Sequence, residues 1–367
     1  MIEINQASAD APAYAYAVLI GRFQPFHAGH EKLLEYALSI APRVIVVIGS
    51  DKQHRSVKNP FTFEERERMI RAGLPSTAQA RVSMIGVPDA PYRESIWIAS
   101  IQNGVDRLIA ADGQDPQQCR IALAGHLKDS SSYYLKLFPR WEFQPFGNVA
   151  SLNATDIRGL YFNEASRAQL QNDKVPSGTQ DFLERFTQTK HYADLAEERS
   201  VLDEYKRRYS YSDSPFPPIY TTVDAVVVEA GYILLVQRKF SPGKGTWALP
   251  GGFVGREEKL LDAAIRELKE ETKLKVPLPV LRGSVRGNHV FDAPGRSQRG
   301  RTITHAYFFE LTHNQWSGLT EIRAADDAAD ARWVPLSEFL QMQDRIYEDH
   351  FFIANHFLGG LGLQPHF

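Results

Sequence analysis

The chain has 367 residues, of which 43% are hydrophobic and 23% are charged, and its formal net charge is −2. This length suits two globular domains, and the charge balance argues against a nucleic-acid coat or a polybasic membrane anchor, since both need strongly basic surfaces. The single cysteine, Cys119, excludes an intramolecular disulfide and fits a reducing compartment.

Targeting and membrane signals are weak throughout the sequence. Residues 1–10 lack the basic start and apolar core of a signal peptide, and apolar runs such as 44–48 and 225–228 have the length of strands, not of membrane spans. We therefore expect a cytoplasmic protein with neither a membrane nor a nucleic acid as partner.

The first half of the chain alternates strand and helix patterns. They predict a strand at 16–21, a helix over 30–40 and a second strand at 44–48, which form one βαβ unit with a parallel sheet. Further strands are predicted near 81–87 and 120–124, and further helices near 63–72 and 95–101. Residues 14–180 are expected to form a doubly wound α/β domain.

A charged helical connection and a proline-rich linker follow at 181–214, and three prolines in 210–218 mark the domain junction. In the second domain, 215–367, strands are predicted at 221–228, 232–237 and 302–310. The one long helix that the pattern indicates there spans 260–272. This half is expected to be a mixed sheet with few helices.

The segment Gly21-Arg-Phe-Gln-Pro-Phe-His-Ala-Gly-His30 follows the first strand and opens the first helix. A helix N-terminus at the carboxyl edge of a sheet is a natural anion site, and Gly29 lets the backbone approach a bulky ligand. His27 and His30 offer imidazole donors, and Arg22 offers a cationic fork for phosphate oxygens. A lone histidine is more often a surface or core residue, and a zinc site would need a third ligand that is not found nearby.

This segment resembles the phosphate-binding turn of the HxGH nucleotidyltransferases, which are Rossmann-like, and among them the nicotinamide mononucleotide (NMN) adenylyltransferases. Leu152-Asn-Ala-Thr-Asp-Ile-Arg158 resembles the ISxTxIR segment of that family, with Asn153 in place of serine; both residues cap helices well. The resemblance implies that His27, His30 and Arg158 are catalytic and hold ATP phosphates, assisted by Arg22 and Mg²⁺. The ATP- and NMN-binding residues that it implies are Gly21, Arg22, Phe23, Gly29, Trp97, Lys128, Asn153, Thr155 and Arg158.

The residues that select NMN are less clear from the pattern. The polar and aromatic stretch 125–134, which includes Lys128, resembles the corresponding region of these adenylyltransferases. Trp97 could either stack on a nicotinamide ring or pack in the core.

Three glutamates in the second half share one face of a predicted helix. Glu267, Glu270 and Glu271 are spaced i, i+3 and i+4, so their carboxylates repel one another unless cations lie among them. Mg²⁺ is a natural cation for such a site, and Arg266 is placed to orient a glutamate. The alternative is an ordinary solvated acidic face.

The spacing from Gly252 through Glu258 and the glutamates to Leu274 resembles the Nudix box, with Lys273 in place of its last glycine. The resemblance implies an α/β/α Nudix domain with a mixed sheet that hydrolyses a nucleoside diphosphate linked to another group. It implies Mg²⁺, with Mn²⁺ as a substitute, on Glu267, Glu270 and Glu271, and these three with Glu258 as catalytic residues. Glu258 is the predicted base that activates water.

Substrate contacts are predicted outside the box. Arg296, Arg299 and Arg301 lie in the Gly- and Pro-containing loop 290–301, and with Gly252 they are expected to bind ADP-ribose. An exposed solubilising loop is the alternative for these arginines. Residues 326–335 resemble the tail of ADP-ribose pyrophosphatases.

Together the two halves resemble the bacterial bifunctional NMN adenylyltransferase/ADP-ribose pyrophosphatase family. The resemblance implies that one domain joins NMN and ATP into NAD, and that the other cleaves ADP-ribose into AMP and ribose 5-phosphate. Two alternatives stay open: an adenylyltransferase for pantetheine phosphate or flavin mononucleotide, and a Nudix half that only senses a ligand. Homo-oligomerisation is also left open.

Overall fold

A computed structural model gives the fold of the chain. It describes residues 13–126, 134–147, 153–164, 166–170, 174–208, 218–312 and 318–359. The chain forms two compact units, the first made of residues 1–51 and 61–189, the second of residues 52–60 and 190–367. The predicted junction at 210–218 lies almost wholly outside the described residues. No helix in the described part of the chain is long and apolar enough to cross a membrane.

The first unit is built on a parallel sheet of five strands. The strands are β1 (Tyr16–Gly21), β2 (Arg43–Asp51), β3 (Val82–Pro88), β4 (Ile121–Gly125) and β5 (Glu142–Pro145). Their order is β3-β2-β1-β4-β5, and every neighbouring pair is parallel. The apolar run of β2 is buried because helices cover both faces of such a sheet. The strand order reverses between β1 and β4, and ligands of doubly wound folds bind beside the carboxyl ends of strands at such a point.

The α-helices in the described part of this unit are α1 (Ala28–Ile40), α2 (Phe63–Ala72), α3 (Glu94–Ala111), α4 (Ala154–Tyr161) and α5 (Ser177–Phe186). α2 begins at a capping box, in which Thr62 and Glu65 exchange side-chain and backbone hydrogen bonds. α3 runs about three turns beyond the predicted 95–101, because Val105 and Ile109 continue the buried face of the helix.

The second unit begins with the helix α6 (Lys190–Arg208) and contains a seven-stranded mixed sheet. The strands are β6 (Tyr220–Glu229), β7 (Tyr232–Arg238), β8 (Trp247–Ala248), β9 (Gly251–Phe253), β10 (Val285–Phe291), β11 (Thr302–Leu311) and β12 (Ala328–Pro335). Five of them follow the order β10-β11-β6-β7-β12, while β8 pairs with β7 and β9 pairs with β6. β6 and β11 are parallel and the other pairs are antiparallel, so the predicted mixed sheet is confirmed.

The helices of this sheet are α7 (Leu260–Thr272), α8 (Leu278–Gly283), α9 (Leu336–Phe339) and α10 (His350–Gly359). α7 has the bounds that the sequence predicts, and it ends at Lys273 in the left-handed conformation, φ 46°. α10 was missed because the helix is apolar on most sides, and a segment without polar and apolar faces gives no helical periodicity. β10 also corrects the prediction for 290–301, since Val290 and Phe291 end a strand and the loop starts after them.

Two candidate active sites

The first candidate site is the turn between β1 and α1. Phe23 has a left-handed φ of 51°, and its buried ring folds back over Gly21, where an added Cβ would lie 3.0 Å from the ring. A side chain at the end of β1 would therefore have to displace the Phe23 ring by a few tenths of an ångström. Phe23 also meets the ring of His30 edge-on at 4.8 Å, so its side chain shapes the turn from beneath.

The two histidines lie against each other at the start of α1. His27 is the N-cap residue and its carbonyl accepts the backbone N–H groups of His30 and Glu31. The imidazole rings stack at 3.6 Å between centroids, with 21° between their planes. Gly29 lies between them in the first helical turn. The pair thus shares the helix N-terminus, where the helix dipole favours anions.

The protonation state of His30 follows from this packing. Burial and the adjacent His27 hold the pKa of His30 well below its ordinary value, because two imidazolium groups at this distance would repel each other. His30 is therefore neutral at pH 7. A neutral imidazole acts through a directed hydrogen bond instead of a full charge.

Arg158 joins the second sequence segment to this turn. It is buried in α4, and its guanidinium donates to the Gln24 carbonyl at 2.6 Å and to the Thr155 hydroxyl at 3.3 Å. Asn153 caps α4 by accepting the backbone N–H of Asp156 at 2.8 Å, so the expected substitution for serine is confirmed as a helix cap. The structure therefore brings the two segments together, as their shared chemistry requires.

Three other residues predicted for this site, Arg22, Trp97 and Lys128, differ in where they lie. The Arg22 side chain is exposed beside the turn. Trp97 is half-buried on α3 and packs against Tyr134 and Phe138, so it belongs to the edge of the core, and its stacking on a ligand stays a prediction. Lys128 and most of the stretch 125–134 lie outside the described residues.

Arg66 is a residue of this site that sequence reasoning missed. It is 1% exposed, and its guanidinium donates to the carbonyls of Arg22 at 2.9 Å and Gly49 at 2.5 Å, with weaker contacts to Thr62 and Ser50. Burial lowers its pKa to about 10, which still leaves it charged at pH 7. It ties the turn after β1 to the end of β2. Residues 64–68 are all charged and lie on an amphipathic helix, so nothing in the sequence distinguishes Arg66 from its neighbours.

The second candidate site lies in the second unit, around a cavity of about 400 Å³. Its wall includes all three clustered glutamates, Gly252 and two of the predicted arginines, Arg296 and Arg299. A Cβ at Gly252 would lie 2.6 Å from a carboxylate oxygen of Glu267, so glycine keeps open the space beside that carboxylate. The predicted residues of this half are therefore brought to one place, apart from Arg301 and Glu258.

Arg266 is the cation among the glutamates. Its guanidinium donates twice to Glu258, at 2.8 and 3.0 Å, and once each to Glu267 and Glu270 at 2.9 Å. The predicted orienting role of Arg266 is thus confirmed. Among the side chains that the structure describes, no group of three or more His, Cys, Asp or Glu is arranged to hold a metal ion. The metal role of the glutamates stays a prediction.

Glu258 and Glu271 differ in electrostatic environment. The hydrogen bonds from Arg266, with a further one from the Gly255 N–H, lower the pKa of Glu258, which makes its carboxylate a weak base. Glu271 is 8% exposed and accepts the Gly251 N–H at 3.1 Å, and burial raises its pKa to about 8. Without a cation beside it, Glu271 is thus mostly protonated at pH 7.

The segment after β10 that carries the three predicted arginines is not an exposed solubilising loop, and that alternative is wrong. Arg296 is buried and makes two hydrogen bonds of 2.9 Å with the buried carboxylate of Asp349. Arg299 lines the cavity with its guanidinium over the Phe253 ring at 5.2 Å. Arg301 donates to the carbonyl of Asp292 and closes the loop. Of these three arginines, Arg299 lines the cavity and lies over an aromatic ring, whereas Arg296 is paired with a carboxylate and Arg301 bonds a backbone carbonyl.

Asp224 and His350 also line the cavity and were not predicted. Asp224 is buried in β6 and accepts the Thr304 hydroxyl at 2.6 Å, with His350 Nε2 at 3.8 Å. His350 Nδ1 accepts the Leu249 N–H, so the proton of its neutral ring lies on Nε2, toward Asp224. The sequence did contain a signal for Asp224, a carboxylate inside the apolar strand run 223–228. Burying a carboxylate costs free energy unless it has hydrogen-bond or ionic partners.

Family models cover parts of both units. A model described as "NUDIX domain" matches residues 219–354, and one described as "Cytidylyltransferase-like" matches residues 18–83. The nicotinamide/nicotinic acid mononucleotide adenylyltransferase of Acinetobacter baylyi is 34% identical over 191 residues, which are 52% of this chain and 96% of that protein. The ADP-ribose pyrophosphatase of Methanocaldococcus jannaschii is 33% identical over 131 residues, 35% of this chain and 70% of that protein.

A solved structure matches both units at once. It is a bifunctional NMN adenylyltransferase/ADP ribose pyrophosphatase from Francisella tularensis, complexed with AMP and a manganese ion. Its identity to this chain is 38% and the TM-score is 0.86, over 95% of this chain and 99% of that one.

Replacing Arg66 tests whether it holds the turn. Arg66→Met should lower the free energy of unfolding of the first unit by about 3 kcal/mol, because several buried carbonyls lose a charged donor. Urea unfolding followed by tryptophan fluorescence measures the loss. The control is Arg68→Met, an exposed position on the same helix, which should stay within about 0.5 kcal/mol of the parent. Equal losses in the two variants would contradict the assigned role.

Glu271 should make the stability of the second unit depend on pH. Its folded pKa of about 8 exceeds the ordinary value of about 4.3, so the folded unit binds a proton that the unfolded chain releases. The stability that this group contributes is therefore complete below about pH 4 and is lost as the pH rises to about 8, on the order of 5 kcal/mol in total. Glu271→Gln should flatten this slope in calorimetry with a chelator at pH 5, 7 and 9. Glu270→Gln should keep the slope of the parent.

Proposed function

The chain belongs to the bifunctional NMN adenylyltransferase/ADP-ribose pyrophosphatase family, and from this we propose that it catalyses both reactions of NAD metabolism. The first unit transfers the adenylyl group of ATP to NMN, which gives NAD and pyrophosphate. The second unit hydrolyses ADP-ribose to AMP and ribose 5-phosphate with a divalent metal, Mg²⁺ or Mn²⁺.

One observation carries the adenylyl transfer: the 2.6 Å hydrogen bond from Arg158 to the Gln24 carbonyl, which joins the two signature segments. A phosphate oxygen of NMN attacks the α-phosphate of ATP, so the reaction needs positioning and charge neutralisation but no protein nucleophile. The helix N-terminus with His27 and His30 supplies donors to the ATP phosphates, while Arg158 and exposed Arg22 supply positive charge. The neutral His30 suits this role because its ring N–H can donate a directed hydrogen bond to a phosphate oxygen.

The same proposal includes the acceptor of the adenylyl group and the cellular location of the protein. NMN is favoured over pantetheine phosphate and flavin mononucleotide because relatives from Acinetobacter baylyi and Sulfurisphaera tokodaii, matched over 96% of their lengths, carry NMN adenylyltransferase names. A cytoplasmic location and the absence of a nucleic-acid partner remain predictions from composition.

The hydrolytic function is supported by the cavity, which both the carboxylates and the cationic Arg299 line. The donor set fits a hard divalent cation, because it consists of carboxylate oxygens and Gly252 leaves space at Glu267. Such a cation, when bound, would polarise the pyrophosphate and lower the pKa of an attacking water. Glu267, Glu270 and Glu271 would hold it, while Arg266 orients Glu267 and Glu270. The lowered pKa of Glu258 favours an electrostatic role there over the predicted proton abstraction.

The alternative for this half is a module that senses a ligand without cleaving it. The complete glutamate set, oriented by Arg266 around the cavity, favours catalysis.

His30→Ala should lower the rate of NAD synthesis by about 100-fold, since it removes a donor to the transferring phosphates. Production of NAD from NMN, ATP and Mg²⁺ measures the effect, with pantetheine phosphate and flavin mononucleotide as competing acceptors. Lys32→Ala, exposed on the same helix, is the control and should leave the rate within about twofold. ADP-ribose hydrolysis should not change in either variant. An unchanged rate in His30→Ala would remove the histidine from the mechanism.

Glu270→Gln should lower AMP release from ADP-ribose by about 100-fold and leave NAD synthesis intact, because one carboxylate of the metal-binding set is lost. Glu321→Gln breaks an exposed ion pair with Lys275 in the same unit and should leave both rates unchanged. If the parent itself releases no AMP, the second unit has another substrate or only binds one.

A further inference from the structure

Two loops form one side of the hydrolytic cavity. The first, residues 239–243, follows β7 and contributes Lys239, Phe240, Ser241 and Pro242 to the wall; we call it the β7 loop. The second, residues 295–299, contributes Arg296 and Arg299; we call it the arginine loop. Both loops carry side chains placed to meet a substrate, so their positions determine the shape of the pocket.

Glu198 is bonded to both loops from outside the Nudix match. It lies in α6, which precedes residues 219–354, and it is 5% exposed. Its carboxylate accepts the Gly243 N–H of the β7 loop at 3.3 Å and a hydrogen bond from the Gln298 side chain of the arginine loop. One buried carboxylate on a helix therefore connects the two loops.

The segment 52–60, which belongs to the same unit, also contacts Glu198 and the cavity wall. The Val57 N–H donates to the second carboxylate oxygen of Glu198 at 3.0 Å, and Lys58 Nζ donates to the Gly295 carbonyl at 3.0 Å. His54 packs against Tyr347, and the Arg238 guanidinium also lies over the Tyr347 ring, 4.1 Å from its centroid. Both Tyr347 and Arg238 line the cavity. The segment thus reaches the arginine loop directly and the β7 loop through Glu198.

We propose that Glu198, with Lys58, is a positioning residue for the ADP-ribose pocket, and that α6 and the segment 52–60 complete this pocket from outside the Nudix domain. The proposal rests on the proposed hydrolytic function. Glu198 holds the β7 loop and the arginine loop at a fixed separation, so that Phe240 and Arg299 meet the substrate without a prior ordering step. The pocket then binds ADP-ribose more tightly because the cost of ordering two loops is already met in the free protein.

The chemistry of Glu198 suits this role. A carboxylate presents only acceptor sites, and here backbone N–H groups from two segments and a side-chain amide converge on it. Glutamine keeps the size of the side chain but replaces one acceptor with an NH₂ donor. At least one of the two backbone N–H groups would then face a donor, and the loop to which it belongs would lose its anchor.

The experiment is a comparison of steady-state hydrolysis of ADP-ribose by the full-length parent and Glu198→Gln, with Mg²⁺. KM should rise about ten-fold with kcat changed by less than about twofold, because binding is weakened and the glutamates are untouched. Asp203→Asn is the matched control: it breaks a partly exposed ion pair with Arg199 on the same helix and should leave both constants unchanged. NAD synthesis should be the same in all three proteins.

Lys58→Met is a second, milder variant for the case in which Glu198→Gln fails to fold. It keeps most of the side-chain stem, removes the donor to Gly295 and should raise KM about three-fold. Calorimetric titration with AMP provides a readout independent of turnover, and its Kd should rise in parallel with KM.

The outcomes separate this proposal from the proposed function. A fall in kcat with unchanged KM in Glu198→Gln, or unchanged constants in both variants, would overturn the positioning role while hydrolysis itself stands. If the parent neither cleaves ADP-ribose nor binds AMP, the proposed function of this unit fails, and the pocket assignment fails with it.

Discussion

A buried guanidinium must be surrounded by oxygen atoms, and this constraint shapes the turn after β1. Arg66 and Arg158 come from α2 and α4, and both direct their donors at backbone carbonyls of the turn or of the neighbouring strand end. Because carbonyl oxygens satisfy these donors without neutralising their charge, the two guanidinium groups leave positive charge beside the turn. The same interaction that stabilises the turn thus prepares it for anions.

In the second unit, two arginines of the cavity wall, Arg266 and Arg296, are paired with carboxylates. Arg266 separates Glu258, Glu267 and Glu270, and Arg296 pairs with Asp349. This difference has a chemical consequence. In the first unit the arginines bring net positive charge to the site, which suits a triphosphate. In the second unit three carboxylates share the one guanidinium of Arg266, so negative charge remains there to attract a divalent cation.

Much of the fold could be predicted from local pattern. β1 and α7 have the predicted bounds, because an apolar strand run and an amphipathic helix with a clear end are set by nearby residues. α10 could not be predicted, since its apolar character follows from burial on most sides. The role of Arg296 also escaped prediction: its counter-ion, Asp349, is 53 residues away in the chain.

The sequence by itself determined the two chemistries, because the residues that bear them recur at fixed local spacings: two histidines around a helix start, and three glutamates on one helix face. Tertiary structure decided which groups complete the sites. Arg66, Asp224, Glu198 and Lys58 have no distinctive neighbours in the sequence. One partner of each, in the order Gly49, Thr304, Gly243 and Gly295, lies 17, 80, 45 and 237 residues away along the chain. A hydrogen bond over such a separation depends on how strands and helices are ordered in space, which local spacing does not encode.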